Sequence, residues 1–464
     1  MQTDYLISGA GASALSFLDI LLAETDANVV IVDRRDAPGG HWNDAYPFVR
    51  LHQSASFYGV NSRPLAPPRI PGQSFDAGSF ELATKTEILH YFHDLMQKTY
   101  LASGRVTYLR NSEHLGGGLV RHLVTGKQTQ VEVRQKIVHA GVWGDLGSIP
   151  ATHKPKFDIA ESADFVPIND LPRRAPGHDH FTVIGAGKTG MDAVIWLLEQ
   201  GVTPAQISWV RPNDYWLFKR ERILNHPDLF TTTMTAFLGE LESLANATTV
   251  DEFCTMMEDV GIWHRIDPDV KPTKFHAAVC SIAEQEKLAQ IRNVIRMGHV
   301  TAIEPRRLLL EQGGVDMPDN TLYIDCTARA GIIMGQDQRP IFDGDTINIS
   351  LIRPFQPIIS AALIALLEAR VPDAASRAAC TQLVDFHDTP AQYIAQQLPG
   401  MMNQAAWSKV PAVKDWLGQS RLHAGNHLMA GFDPADPEKS ALIGRMGPTA
   451  KQALQNIPAL LAAR

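Results

Sequence analysis

Tyr5-Leu6-Ile7-Ser8-Gly9-Ala10-Gly11-Ala12-Ser13-Ala14 stands at the head of the chain, and Val29-Val30-Ile31-Val32-Asp33 follows it. A short apolar run, a glycine turn, leucines at helical spacing (Leu15, Leu18, Leu22) and a β-branched run predict strand, turn, helix and strand in that order. The turn has the form GxGxxA. Gly9 permits the tight bend, Gly11 lets a pyrophosphate approach the backbone, and Ala14 is small enough for the helix to pack on the strand. The helix start then offers free N–H groups and its positive dipole end to phosphates. Asp33 closes the second strand, where a carboxylate can bond both ribose hydroxyls. A glycine turn with no ligand is the alternative; the acid and both strands falling in place favour a dinucleotide.

The unit occurs a second time. Phe181–Ile184 predicts a strand, Gly185-Ala186-Gly187-Lys188-Thr189-Gly190 is a full GxGxxG, Met191–Glu199 predicts a helix, and Ile207–Val210 the next strand. The ribose position here holds Arg211 in place of an acid. A guanidinium can take a 2′-phosphate bidentately where a carboxylate would repel it, so this turn points to NADPH over NADH. Lys219, Arg220 and Arg222 follow and either add to a phosphate site or form a solvated basic surface.

The bulk properties fit a globular protein of several domains. The 464 residues are 45% hydrophobic and 20% charged, which suggests roughly two to three domains. A formal charge of −8 speaks against a broad nucleic-acid or anionic-membrane surface. Four scattered cysteines form no CxxC, and the N-terminus lacks the basic start of a signal peptide; a cytoplasmic protein without a membrane span is expected. No metal site is expected, because His178-Asp179-His180 lacks further ligands at suitable spacing. Trp263-His264 and Met256-Met257 line a substrate pocket or belong to a core.

The stretch after the first acid is more specific than either turn. Asp33-Arg34-Arg35-Asp36-Ala37-Pro38-Gly39-Gly40-His41-Trp42 resembles the corresponding stretch of flavin-containing monooxygenases and their relatives, flavoproteins with two dinucleotide-binding domains. Lys136–Gly141 and Tyr323–Ala328 resemble that family's two crossovers between domains, with His139-Ala140 and Ala328 departing from its pattern. The resemblance covers most of residues 1–370. It implies an α/β fold of two Rossmann-like domains, the NADPH domain inserted in the FAD domain. The expected division is 1–145 and 331–372 for FAD, 146–180 as linker, 181–330 for NADPH with a helical insert at 220–298, and 373–464 as a helical C-terminal extension. The C-terminal region and insert are expected to shape the pocket and to offer a surface for a homodimer.

The resemblance also implies the site. FAD would lie against Gly9, Gly11, Ser13, Ala14, Asp33, Arg34, Gly40, His41 and Trp42, with Gln356 and Ile358 at the flavin end, where a helix N-terminus stabilises charge on the reduced ring. NADPH would lie against Gly185, Gly187, Lys188, Thr189, Gly190 and Arg211. Leu51-His52-Gln53-Ser54 matches the loop that holds an Asn near the flavin in the family, which makes Gln53, Ser54 and His52 the candidate catalytic residues. The implied reaction is oxygenation of a small organic molecule by O2 through a flavin C4a-hydroperoxide. The family's identifying stretch is altered, with Ile159 and Ala163 at its Gly and His positions. A reductase or oxidase with the same cofactors therefore stays open, as does a non-catalytic binder.

Overall fold

A computed structural model of the chain describes residues 1–70, 79–141, 147–329, 339–385 and 388–463. The opening unit folds as strand β1 (Gln2–Ser8), helix α1 (Ala12–Glu24) and strand β2 (Val29–Val32). β1 and β2 pair in parallel, and every residue of β2 is buried, as in a strand covered on both faces. Helix α2 (Lys85–Leu95) starts on a reciprocal capping box between Thr84 and Glu87. Strand β3 (Val106–Leu109) then adds beside β2, and β4 (Glu132–His139) beside β1 on its other side, both parallel.

From here the chain builds a second parallel sheet. Strands β5 (Phe165–Pro167), β6 (His180–Ile184), β7 (Ile207–Val210), β8 (Tyr215–Lys219), β9 (Trp263–His264), β10 (Lys274–Cys280), β11 (Val294–Ile295) and β12 (Thr321–Asp325) follow in sequence. Five of them form the order β5-β12-β6-β7-β11, all parallel, and β9-β8-β10 make a separate small sheet. Helix α3 (Lys188–Glu199) leaves the second glycine turn, and α4 (Phe230–Asn246) and α5 (Ile282–Leu288) follow it. The chain then returns to the first sheet with β13 (Phe342–Asp343) and β14 (Thr346–Asn348), giving the order β13-β14-β4-β1-β2-β3. The second parallel sheet is thus inserted within the first, as the resemblance implies.

Helix α6 (Pro357–Arg370) lies against α1. Ser16 Oγ donates to the Ile358 carbonyl (2.8 Å), and the Tyr5 hydroxyl donates to Glu368 (3.1 Å). Both helices are buried along most of their length, which explains their nearly continuous apolar character. The remaining chain is helical, including α7 (Pro390–Trp407) and α8 (Pro437–Ala462). No helix among the described residues is long and apolar enough to cross a membrane.

Two expectations differ from the structure. The insert 220–298 is mixed, since β9, β10 and β11 fall inside it. Its short strands are set by tertiary packing: the Trp263 ring stacks on Trp216 and Phe275, and such context outweighs local propensity. The stretch 146–180 is more than a linker. It supplies β5, an edge strand ending at Pro167 where a missing N–H costs no ladder bond, and Asp158–Ile159, which pairs with Ala302–Ile303. For Trp263 and Met257 the core reading holds, since both are fully buried. The expected boundaries at 145 and 330–331 lie outside the described residues.

Candidate functional site

The first glycine turn is held by the strands beside it. Gly9 has φ +109°, and a Cβ there would come within 3.3 Å of the Ala140 and Gly141 backbone. Asp33 is buried; its carboxylate accepts from the Ala10 N–H (2.6 Å) and the Arg35 N–H (2.8 Å). Burial raises its carboxyl despite those bonds. The glycine pair then folds back on the turn: a Cβ at Gly40 (φ +56°) would sit 3.0 Å from Gly11 Cα. His41 and Trp42 follow in a single helical turn, with the Trp42 indole N–H donating to the Tyr58 hydroxyl (3.1 Å).

These residues surround a cavity of about 870 Å3, a size typical of cofactor and ligand sites. Gly9, Gly11, Ser13, Asp33, Arg34, Gly40, His41 and Trp42 line it, and so do Gln356 and Ile358 from the start of α6. Ala14 does not; it is fully buried where α1 packs on the sheet, which is the use of a small residue there. At the far end Gln356 caps α6, and its Oε1 is buried with no hydrogen-bond partner. Phe355 beside it has φ +58°, a strained value for a bulky residue of the kind found at ligand sites.

The second cavity is larger, about 1750 Å3. Gly187, Lys188 and Thr189 line it from the second turn, and His52, Gln53 and Ser54 from the loop. His41, Trp42, Gln53 and Gln356 line both cavities, so the two meet there. Gly185 and Gly190 do not face it. A Cβ at Gly185 (φ +127°) would press on the Cys326 carbonyl at 2.7 Å, and one at Gly190 would collide with the Gly185 carbonyl. These two glycines shape the turn.

Arg211, expected at the ribose of NADPH, lines neither cavity. Its side chain is buried in an ion pair with Asp214, with the guanidinium 4.8 Å over the Trp209 ring. Arg296 binds the same Asp214 (2.8 Å) with a third of its side chain exposed.

A charged cluster crosses from one sheet to the other beneath the loop. Lys188 pairs with Asp192 and with Glu284 (3.3 Å), Arg220 pairs with Glu284 (2.6 Å), and Tyr46 donates to Asp192 (2.5 Å). Burial pushes the Glu284 carboxyl up, but Lys188 and Arg220 together outweigh it and hold it down to about 2. Arg220 also donates to the His52 carbonyl (3.3 Å). Burial, Lys188 and Arg220 hold the His52 imidazole down to about 3, so it stays neutral and does not titrate near neutral pH. Ser54 shares a hydrogen bond with Ser56 (2.8 Å), leaving Gln53 as the loop side chain at the junction of the cavities. Among the described residues no cluster could hold a metal ion; His178 faces Asp164 and His180 bonds Ser208.

No family model matches this sequence. Mb2023 of Mycobacterium bovis and Rv2000 of Mycobacterium tuberculosis, both uncharacterized proteins, are each 38% identical to it over 427 residues, 91% of this chain and 78% of theirs. The chain belongs to the family of these mycobacterial proteins. Solved structures similar to it include an oxidised steroid monooxygenase bound to NADP (14% identity, 98% of each chain, TM-score 0.49). They also include a flavin-containing monooxygenase from Stenotrophomonas maltophilia (16%, 80% of this chain and 97% of that one, TM-score 0.44). A bacillithiol disulfide reductase from Staphylococcus aureus is a third (9%, 80% and 99%, TM-score 0.46).

In this family member, sequence reading gave no role to Tyr46, Asp192, Glu284 or Arg353. Glu284 carried one signal, the capping-box pattern Ser281-Ile282-Ala283-Glu284, which the structure forms at the start of α5. Asp192 stands four residues after Lys188 on α3, and Tyr46 reaches it only by the approach of a distant segment.

Proposed function

We propose that this chain is an NADPH-dependent FAD oxidoreductase, and within that class a monooxygenase placing one oxygen atom of O2 in a small organic molecule. The observation that carries the reading is the pair of cavities meeting at His41, Trp42, Gln53 and Gln356, one on each glycine turn. Bound FAD would supply the redox chemistry, taking hydride from NADPH and passing electrons to O2.

The chain's own residues supply position and surroundings. Gly9, Gly11 and Gly40 bring backbone, free of side chains, to the mouth of the first turn. The N-terminus of α1 suits the pyrophosphate, and Asp33 the adjoining ribose. The unpartnered Gln356 Oε1 and the first turn of α6 suit the polar edge of a flavin. Lys188 and Thr189 open α3 toward the nicotinamide nucleotide. Gln53 is the side chain placed to hold a substrate or oxygen species by hydrogen bonding, and the neutral His52 adds no charge beside it. Phe218, Leu244 and Ile262 help keep water out of the larger cavity.

Turnover under labelled O2 tests the reading. FAD-loaded protein given NADPH and a substrate panel should release a product one labelled oxygen atom heavier. NADPH consumption with no label in any product would leave a reductase or oxidase. A purified protein that stays colourless with added FAD would sink both.

A further inference from the structure

Arg353 is a partly buried cation with no counterion among the described residues. It stands just before α6 and lines the larger cavity but not the smaller one. Its Nη1 is buried with no hydrogen-bond partner, and among the described residues no carboxylate pairs with it. Burial alone acts on the guanidinium, drawing it down to about 10. Other buried cations among the described residues have a carboxylate or carbonyl partner, although Arg211 Nε and Arg377 Nε are also left without one. Lys188 and Arg220 have Glu284, Arg211 has Asp214, and Arg421 donates to the carbonyls of Ser56 to Val60. An unpaired charge out of water is costly, so a fold that pairs the rest and leaves this one open keeps it for a partner from outside.

The surroundings say what that partner is. Next to Arg353 stands His423, whose imidazole is drawn down by burial and by the arginine itself. Around the same cavity, Lys188, Arg220 and Arg222 outnumber the acids, and the Glu240 carboxyl, raised by burial, accepts from the Tyr393 hydroxyl. The same cavity also has apolar lining: Met234, Phe237, Leu241, Leu244, Met401 and the Tyr393 ring. The guanidinium fork matches a carboxylate, and the wall matches a hydrocarbon or aromatic body.

We propose that Arg353 receives the carboxylate of the substrate, an organic acid whose apolar body lies along this wall. The proposal rests on reading the larger cavity as the substrate site, and its test is made as binding, without NADPH or turnover. Failure of oxygen transfer therefore leaves it standing, and its own failure leaves the redox reading standing.

The experiment titrates FAD-loaded protein with acetate, hexanoate, decanoate and 4-phenylbutyrate, each against its methyl ester, reading flavin fluorescence and melting temperature. At least one acid should bind tenfold or more tighter than its ester. Arg353→Gln should lose that preference, roughly tenfold to hundredfold in acid affinity, with ester binding unchanged. Arg353→Lys should keep part of it. If Arg353→Gln fails to fold, the lysine variant and the wild-type acid–ester comparison decide. The proposal is overturned if no acid in the series outbinds its ester, or if Arg353→Gln keeps the preference. It is also overturned if that variant folds but sheds its flavin, which would assign the arginine to the cofactor.

Discussion

Arg211 and Arg296 reach one carboxylate, Asp214, from adjoining strand ends; the Arg211 N–H donates to the Ile295 carbonyl (2.9 Å). The charge that the sequence put at the ribose position is consumed inside the protein, and Arg296 is the guanidinium of that group left partly in water. Asp267 also touches Arg296 (2.7 Å), which positions it without burying it. Arg296 lines neither cavity either, and both its carboxylate partners lie within the protein, so Arg296→Ala should leave the ratio of the KM values for NADPH and NADH nearly unchanged. Arg211→Ala should lower the melting temperature with little change in the ratio of the two. Steady-state kinetics with both nucleotides, alongside thermal melts, separates the roles; a lost NADPH preference in Arg211→Ala alone would restore the reading made from sequence.

At the scale of elements, each glycine turn is wedged between its helix and the strand that returns to the sheet. The first is packed against Ala140 and Gly141, the second against Cys326, and in both the third small residue is where helix meets strand. Trp209 adds an indole N–H to the Gly185 carbonyl (2.8 Å), the oxygen that a Cβ at Gly190 would strike. Gly190→Ala should push α3 away from β6 and cost about 2 kcal/mol or more, read as a lower urea midpoint at unchanged slope. Retained stability would mean that the helix start moves more freely than its packing implies. This geometry was legible from GxGxxA and GxGxxG because one residue class alone fits the contact. The strands β9 and β10 were not legible, since two and seven residues packed by aromatic partners from elsewhere carry no period of their own.

Across the whole molecule, Tyr46 and the His52 carbonyl belong to segments of the first domain, whereas Asp192, Lys188, Arg220 and Glu284 belong to the second. The cluster ties one to the other beneath the cavity junction. The Glu284 carboxyl titrates lower in the folded chain (about 2) than in an unfolded one (4.5). Its contribution is full above about pH 4.5 and is lost as the pH falls toward 2. Glu284→Gln keeps the capping geometry but leaves Lys188 and Arg220 facing each other, and it should cost on the order of 3 kcal/mol at neutral pH. The gap to wild type should close as the pH falls through that window. Denaturant melts at stepped pH check this; a gap that does not narrow would mean the glutamate acts through packing.

The sequence by itself determined what depends on neighbours along the chain: two strand–turn–helix units, the small residues inside them, Asp33 at the end of β2, and the apolar start of α6. The residues expected around the first turn line one cavity, apart from Ala14, because that unit encloses its ligand space within a single local fold. Tertiary structure decided the rest. Whether Arg211 faces a phosphate depends on an aspartate on the following turn, whether His52 titrates depends on its burial and on Lys188 and Arg220, and whether Arg353 is free depends on every carboxylate that could have reached it. A charge is defined by what surrounds it in space, and spacing along a chain does not say which distant charges arrive beside it.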